Sequence, residues 1–287
     1  MPSPSPDSAA TPATTITFIG GGNMARSLIG GLVARGWPAD SIHVAEPHAP
    51  LREALAADFS VHVHALNSEA AERGAIWVFA VKPQVMRSVA EALSATAQQR
   101  QPLLVSIAAG ITSGQLERWL GGQLAVVRTM PNTPALLGAG ATGLFANARV
   151  SPPQRQLADQ LLSATGLTVW LPDEAQMDAV TALSGSGPAD VFLHAEAMQA
   201  AGEAQGLPAE AARALALQTI HGAARMLVES GEEAAVLRQR VTSPGGTTQA
   251  AIESFEAGGL RALVAQAIAA ATERGRQLSA ANEAPPP

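Results

Sequence analysis

The 287-residue sequence predicts an α/β protein in two parts, a parallel β-sheet with alternating helices followed by a part that is helical throughout. Three observations support this fold class. Short apolar runs that end in turns alternate with helical patterns up to residue 171, as in βαβ units. Beyond Asp173 the strand patterns stop and five helical segments follow. At 47% hydrophobic residues, the chain can bury a core in each part.

The first ordered stretch carries the clearest motif. An apolar run, Ile16–Ile19, ends at the glycines Gly20, Gly21 and Gly22, and an amphipathic helix pattern begins directly afterwards. Glycines let the backbone approach a ligand closely, and the free N–H groups of a helix N-terminus suit a pyrophosphate. With Ala25 in third place, the pattern G-x-G-x-x-A is typical of Rossmann-type dinucleotide-binding domains, although tight turns use glycine too.

The second strand pattern, residues 42–46, ends in the acid Glu46. In dinucleotide-binding folds, a carboxylate about 20 residues after the glycines accepts hydrogen bonds from the adenosine ribose and repels a 2′-phosphate. We therefore expect Glu46 to contact the cofactor. Two alternatives stay open: Glu46 is a solvated turn residue, or the nearby Arg52 attracts a phosphate instead.

Six further apolar runs complete the predicted sheet, at residues 61–64, 75–81, 103–107, 125–127, 142–146 and 167–171. Ligands of such sheets bind beyond the carboxyl ends of the strands, where the sequence places Lys82-Pro83 and the loop of residues 128–135. Both could be ordinary loop chemistry. However, two prolines fix the second loop, so we expect Asn132 and Thr133 to present polar groups. The histidines in the run 61–64 are expected on a solvated strand face, and no metal site is predicted.

The second part is predicted to contain helices at residues 188–205, 208–230, 232–241, 247–257 and 260–280. These alanine-rich helices can pack closely and are typical of a dimerisation unit that also closes an active site. Charged residues make up only 15% of the chain, against about 25% in a typical soluble protein, which indicates apolar surface covered in an oligomer. We expect a homodimer or a ring of dimers.

Composition excludes several classes of function. The absence of cysteine excludes disulfides, thiolate catalysis and cysteine-ligated metals. A net charge of −6 without a basic run argues against a nucleic-acid partner. The N-terminus lacks the features of a secretory signal, and no stretch of about 18 apolar residues could span a membrane. We therefore expect a cytoplasmic protein without a membrane partner.

Two further absences restrict the mechanism. The chain has no tyrosine, so the Tyr and Lys pair of short-chain reductases cannot exist here. Lys82 is the only lysine, which excludes any mechanism that needs a lysine in the helical part. The predicted boundaries are a disordered tail at 1–14, a dinucleotide-binding domain at 15–173, a helical dimerisation and substrate domain at 174–280, and a second tail at 281–287.

One loop of the helical part, V-T-S-P-G-G-T-T at residues 241–248, has the composition of a ligand site. Gly245 and Gly246 place free backbone N–H groups at a helix start, which suits a small carboxylate. Either Thr247 or Thr248 could contact that ligand or cap the helix. An ordinary capped turn is the alternative, because Ser, Pro, Gly and Thr are common at helix starts.

Six motifs occur along the chain in the order G-G-G-N-M-A, A-V-K-P-Q, S-I-A-A-G, R-T-M-P-N-T-P-A, L-S-G-S-G-P-A and V-T-S-P-G-G-T-T. Over about residues 15–280 this set resembles the pyrroline-5-carboxylate reductase family, and the last motif is the most specific to it. The resemblance implies an oxidoreductase of the CH–NH group that reduces 1-pyrroline-5-carboxylate to L-proline with NADPH or NADH, the last step of proline biosynthesis. It also implies a helical domain that interleaves with a partner subunit.

The resemblance assigns site residues as well. The implied cofactor contacts are Ile19, Gly20, Gly21, Gly22, Asn23, Met24, Asn67, Ala80, Val81, Lys82 and Pro83. The implied substrate contacts are Ser243, Gly245, Gly246, Thr247 and Thr248, together with Glu174 near the substrate of a neighbouring subunit. Thr248 is the expected catalytic residue, because its hydroxyl could bond the ring nitrogen. A protonated cyclic imine accepts hydride without a dedicated acid, so the protein mainly orients the reactants.

One departure from the family bears on the cofactor. Family members often carry Ser, Thr or Arg at the end of the second strand, whereas this sequence has Glu46-Pro47-His48, so we expect NADH and NADPH both to be used. Two alternatives for the function stay open, a reductase of a related cyclic imino acid and a non-catalytic NAD(P)-binding sensor. A β-hydroxyacid dehydrogenase would need a lysine in the helical part, and the loop at Ser243 argues against the sensor.

Overall fold

The computed structural model describes residues 14–282, so most of the two predicted tails lies outside the described residues. Within this range the chain forms two compact units. The first unit contains residues 14–185 and 272–282, and the second unit contains residues 186–271. The division after residue 185 comes later than the predicted one after residue 173, because Met177 and Ala182 are buried members of the first unit.

The first unit is built on one sheet of eight strands. The strands are β1 Ile16–Ile19, β2 Ile42–Ala45, β3 His62–His64, β4 Ile76–Phe79, β5 Leu103–Ser106, β6 Val126–Met130, β7 Gly140–Ala146 and β8 Gly166–Trp170. Their order is β3-β2-β1-β4-β5-β6-β7-β8, and all neighbours are parallel except β6 and β7. Each predicted strand pattern therefore became a strand. The strand order reverses after β3, so the switch point at which ligands of such sheets bind lies between the neighbouring strands β1 and β4.

Helices cover both faces of this sheet. They are α1 Asn23–Ala34, α2 Ala49–Phe59, α3 Asn67–Ala71, α4 Pro83–Arg100, α5 Ser113–Trp119, α6 Pro152–Ser163 and α7 Met177–Val180. One core contains Phe18, Leu28 and Val44, and the other contains Trp77 and Met86. Because the central strands are buried on both faces, their sequences are apolar without alternation.

The second unit is helical, as predicted. Its helices are α8 Gly187–Ala204, α9 Ala209–Glu229, α10 Ala234–Arg240, α11 Thr247–Ala257 and the greater part of α12 Leu260–Ala281. Few of its apolar side chains are buried: α9 buries only Ala212 and Ala216, whereas Phe192 is 61% and Val228 83% exposed. Among the described residues, no helix is both long and apolar enough to cross a membrane.

Candidate active site

The glycine turn after β1 needs its three glycines for three different reasons. Gly20 has a φ of +102°, and a Cβ there would lie 2.8 Å from the carbonyl oxygen of Ala80. A Cβ on Gly21 would lie 2.6 Å from Cδ1 of Leu55. Gly22 has an ordinary φ of −67° and no atom within 4 Å of its Cβ position. Backbone strain and packing therefore explain Gly20 and Gly21, whereas the space at Gly22 is open at the N-terminus of α1, where a pyrophosphate can approach.

The predicted cofactor residues lie along one edge of the sheet. Ile19 ends β1 and Gly20–Met24 follow it, Glu46 follows β2, Asn67 begins α3 after β3, and Ala80–Pro83 follow β4. These four strands are neighbours in the order β3-β2-β1-β4, and all run parallel. Their carboxyl ends therefore form a continuous edge, which is the arrangement that holds an extended dinucleotide.

Glu46 is directed into the glycine turn. Its Oε2 accepts a hydrogen bond from the backbone N–H of Gly21 at 3.0 Å, and its Oε1 accepts one from the N–H of His48 at 2.9 Å. The residue is only 8% exposed, so it is not a solvated turn residue. Arg52 does not pair with this carboxylate, because its Nη1 donates to the main-chain carbonyls of Glu46 and Pro47.

The loop after β6 uses its polar side chain differently from the expectation. Asn132 accepts a hydrogen bond from the N–H of Ala141 at 2.9 Å and donates one to the carbonyl of Ser184 at 3.0 Å. Its amide therefore joins β7 to the segment after α7 and is not presented to a ligand. Thr133 is exposed, as expected for a residue at this edge.

Glu174 has three polar contacts inside the first unit. Its Oε1 and Oε2 accept hydrogen bonds from the N–H and the hydroxyl of Ser113, both at 2.6 Å, so it binds the N-terminus of α5. Arg128 approaches the same carboxylate at 3.4 Å and also reaches Asp178 at 3.3 Å. The expected contact of Glu174 with a neighbouring subunit's substrate stays a prediction, and its internal contacts already account for its position.

The glycine loop of the second unit leads into α11. Gly245 has a φ of +71°, which favours glycine, and its N–H donates to Oε1 of Gln249 at 2.7 Å. The N–H of Gly246 donates to the carbonyl of Ser243 at 3.0 Å. Both glycine N–H groups therefore have partners within the second unit, and the donors left for a carboxylate are those of the first turn of α11.

Neither threonine of this loop caps the helix. Gly246 is the N-cap of α11, and no side chain accepts a hydrogen bond there. Thr248 is half-buried, whereas Thr247 and Ser243 are exposed. The capped-turn alternative would place a threonine hydroxyl on the helix N–H groups, and the structure does not show that contact. The hydroxyls are thus available to a ligand.

Comparison with known proteins agrees with this arrangement. The family model described as pyrroline-5-carboxylate reductase dimerisation matches residues 174–278, and one described as NADP oxidoreductase coenzyme F420-dependent matches residues 15–110. The pyrroline-5-carboxylate reductase of Pseudomonas aeruginosa is 55% identical over 92% of this chain and 96% of that protein. The chain belongs to the pyrroline-5-carboxylate reductase family. The enzyme of the same name from Arabidopsis thaliana is 39% identical over 92% of this chain and 95% of its own length.

Solved structures of the family share the fold. A pyrroline-5-carboxylate reductase from Coxiella burnetii aligns with a TM-score of 0.90 and 43% identity, over 93% of this chain and 99% of that one. The Plasmodium falciparum enzyme, solved with NADP bound, aligns with a TM-score of 0.81 and 29% identity, over 93% and 98% of the two chains. The order of a Rossmann-type sheet followed by helices is thus that of the reductase family.

Sequence patterns did not predict the contacts of two residues. Gln249 holds Gly245 through a hydrogen bond, and Arg128, expected in the loop of residues 128–135, lies in β6 and is buried between two carboxylates. The only sequence signal for Arg128 was its place next to a short apolar run, where an arginine needs buried partners. No signal pointed to Gln249, because its partner is a backbone N–H group.

Proposed function

We propose that this chain carries out the reaction of its family: it reduces 1-pyrroline-5-carboxylate to L-proline with hydride from NAD(P)H. It is an oxidoreductase related at up to 55% identity to curated enzymes of that name. The observation that supports cofactor binding concerns Gly22: its φ is ordinary, and no atom lies within 4 Å of its Cβ position. Gly22 is the N-cap of α1, and its open Cβ position leaves the first N–H groups of the helix accessible to a pyrophosphate.

Residues of the first unit would bind the cofactor, and residues of the second unit would bind the substrate. The free N–H groups at the start of α1 would bind the pyrophosphate of the cofactor, which supplies hydride when bound. In the second unit, the N–H groups of the first turn of α11 would bind the substrate carboxylate. The hydroxyl oxygen of Thr248 would accept a hydrogen bond from the protonated ring nitrogen. The imine carbon gains hydride and its nitrogen keeps the proton that it carries near neutral pH. The protein therefore orients the reactants and needs no acid of its own.

We propose that NADH and NADPH both serve as cofactor. A free carboxylate at the end of β2 would repel a 2′-phosphate. Here Glu46 accepts two backbone hydrogen bonds and is nearly buried, which weakens this repulsion. The cationic side chain of Arg52 lies at the same corner, bonded to the carbonyl of Glu46. Both features support acceptance of the phosphate.

We also propose that the chain is a homodimer, alone or within a ring of dimers, in the cytoplasm. The family model matched by residues 174–278 is described as a dimerisation domain. The second unit alone leaves large apolar side chains exposed, including Phe192, Leu193 and Val228. A second copy of the same unit offers the matching apolar surface.

The test is an assay of the purified protein with 1-pyrroline-5-carboxylate, following oxidation of NADH and NADPH separately and identifying proline as the product. We expect proline with either nucleotide. A parallel assay with the six-membered cyclic imino acid measures ring specificity, since one methylene changes binding by only about 1 to 3 kcal/mol. Binding of NADH or NADPH without proline formation would favour the sensor and contradict this function.

A further inference from the structure

We propose that Glu46 is a positioning residue, which holds the glycine turn in its nucleotide-binding shape, and is not the ligand of the adenosine ribose. The proposal rests on the proposed function, in which this turn binds NAD(P)H. A carboxylate whose main role is to bind ribose directs its acceptor sites to the cofactor hydroxyls. Glu46 instead accepts one backbone hydrogen bond on each oxygen, from Gly21 at 3.0 Å and from His48 at 2.9 Å.

These two bonds connect the parts of the cofactor edge that follow β1 and β2. Gly21 lies in the middle of the glycine turn, and His48 is the N-cap of α2. The carboxylate therefore bridges the turn to the start of the next helix. Because the bonded groups are backbone atoms, the bridge fixes the path of the main chain and not only a side chain.

Packing supports the same role. A Cβ on Gly21 would lie 3.1 Å from Cβ and 3.3 Å from Cγ of Glu46, so the two residues are in close contact along the glutamate stem. Cδ1 of Leu55, on α2, approaches the same point at 2.6 Å. The glycine turn is thus packed between the aliphatic stem of Glu46 and Leu55 of α2, and the carboxylate of Glu46 accepts a hydrogen bond from the turn.

The polar surroundings of the Glu46 carboxylate also suit a positioning role. A nearly buried carboxylate needs compensating contacts, and the two N–H groups supply charge-assisted hydrogen bonds. The guanidinium of Arg52, bonded to the carbonyls of Glu46 and Pro47, adds positive charge at the same corner. Both oxygens of the carboxylate are thus bonded to the main chain, which is the arrangement of a residue that holds the backbone in place.

The experiment compares the full-length wild type with Glu46→Gln, an isosteric variant that can accept from one N–H group but not from both. The matched control is Glu53→Gln, which removes an exposed carboxylate from α2. Dissociation constants for NADH and NADPH are measured by nucleotide fluorescence without substrate, and hydrogen exchange is followed in the peptide that contains Gly21. Exchange in peptides elsewhere in the first unit is followed as a reference, because a general loss of stability would speed exchange there as well.

We expect Glu46→Gln to raise both dissociation constants by a similar factor, roughly tenfold, and to speed exchange at Gly21. Glu53→Gln should match the wild type in both. A ribose ligand predicts a different result, in which NADH binds more weakly while NADPH binds unchanged or more tightly. That selective change would overturn the proposal, as would unaltered affinities for both nucleotides. If the wild type itself bound neither nucleotide, the proposed function would fail instead.

Discussion

Arg128 and Glu174 face each other inside the first unit, with Nη1 of the arginine 3.4 Å from Oε1 of the glutamate. The arginine side chain is only 5% exposed and reaches Asp178 with its other terminal nitrogen. Ser113 completes the contacts of Glu174. This buried network joins β6, α5 and α7, which are separated in sequence, so its charges are expected to contribute to stability as a group.

The first prediction follows from this network. Glu174→Gln should lower the free energy of unfolding by about 1 to 3 kcal/mol, because the buried Arg128 loses one of its two charge partners. The Michaelis constant for 1-pyrroline-5-carboxylate should stay at the wild-type value. Thermal denaturation and substrate kinetics on one preparation measure both quantities. A raised Michaelis constant in a variant of normal stability would support the substrate contact that the family resemblance implies.

The second prediction separates binding from folding within the glycine turn. Gly22→Ala should lower the melting temperature only slightly, because the added Cβ meets no atom within 4 Å and only the N-cap preference for glycine over alanine is lost. The same variant should raise the dissociation constants of NADH and NADPH at least about tenfold, since the methyl group occupies the space of the pyrophosphate. Gly20→Ala is the contrasting variant: its φ of +102° and the contact with Ala80 predict a loss of stability. Equal melting temperatures for the two variants would contradict this division.

The third prediction concerns Thr248. Removal of its hydroxyl in Thr248→Ala should lower kcat/KM about 2- to 12-fold, equivalent to the loss of a hydrogen bond of about 0.5 to 1.5 kcal/mol. The dissociation constant of the cofactor and the melting temperature should stay close to the wild-type values, because no hydroxyl caps α11. Ser254→Ala, in a later turn of the same helix, serves as control. A destabilised Thr248→Ala with normal kinetics would make the threonine a structural residue.

The fourth prediction tests the apolar surface of the second unit. Phe192→Asp places a charge where a partner subunit is expected to cover an aromatic ring that is 61% exposed. Light scattering should then show a shift from the dimer towards a monomer of 29.3 kDa. Gln99→Asp adds the same charge to an exposed position of α4 and should leave the assembly intact. An unchanged assembly for Phe192→Asp would place the subunit contact elsewhere.

The fifth prediction concerns three histidines at the sheet edge formed by β2 and β3. Nδ1 of His43 lies 3.1 Å from Nε2 of His64, and its ring stacks on His62 at 4.9 Å. Burial lowers the pKa of His43 from 6.5 to about 4, and the charges of His62, His64 and Arg73 act in the same direction. Burial also lowers the pKa of His64, although the nearby carboxylate of Glu69 opposes this shift.

Because the folded protein resists protonation of His43, the unfolded chain binds more protons than the folded one between pH values of about 6.5 and 4. Stability due to this group is therefore present above pH 6.5 and is lost as the pH falls towards 4. We expect the melting temperature of the wild type to fall more steeply across this range than that of His43→Gln. His221→Gln, an exposed histidine of α9, should keep the wild-type slope. Identical slopes for wild type and His43→Gln would contradict the assignment.

Sequence patterns predicted the strands and helices because burial and periodicity act on consecutive residues. The apolar runs around Trp77 and Val105 are buried strands, and the breaks at Gly206 and Gly231 separate helices of the second unit. Contacts between distant positions were not predictable in the same way. Glu174 binds Ser113, 61 residues away, and the partner of Glu46 is a backbone N–H group, which has no sequence signature.

Lys82 stands exposed at the start of α4, beside the edge where the cofactor is proposed to bind. It is also the only lysine in the sequence. A reagent that acylates lysine amines therefore modifies a single side chain of this protein, and the modified site lies next to the glycine turn. Because the N-terminal amine reacts as well, mass spectrometry of the peptide that contains Lys82 is the readout, and the fraction of this peptide that stays unmodified measures protection by bound nucleotide.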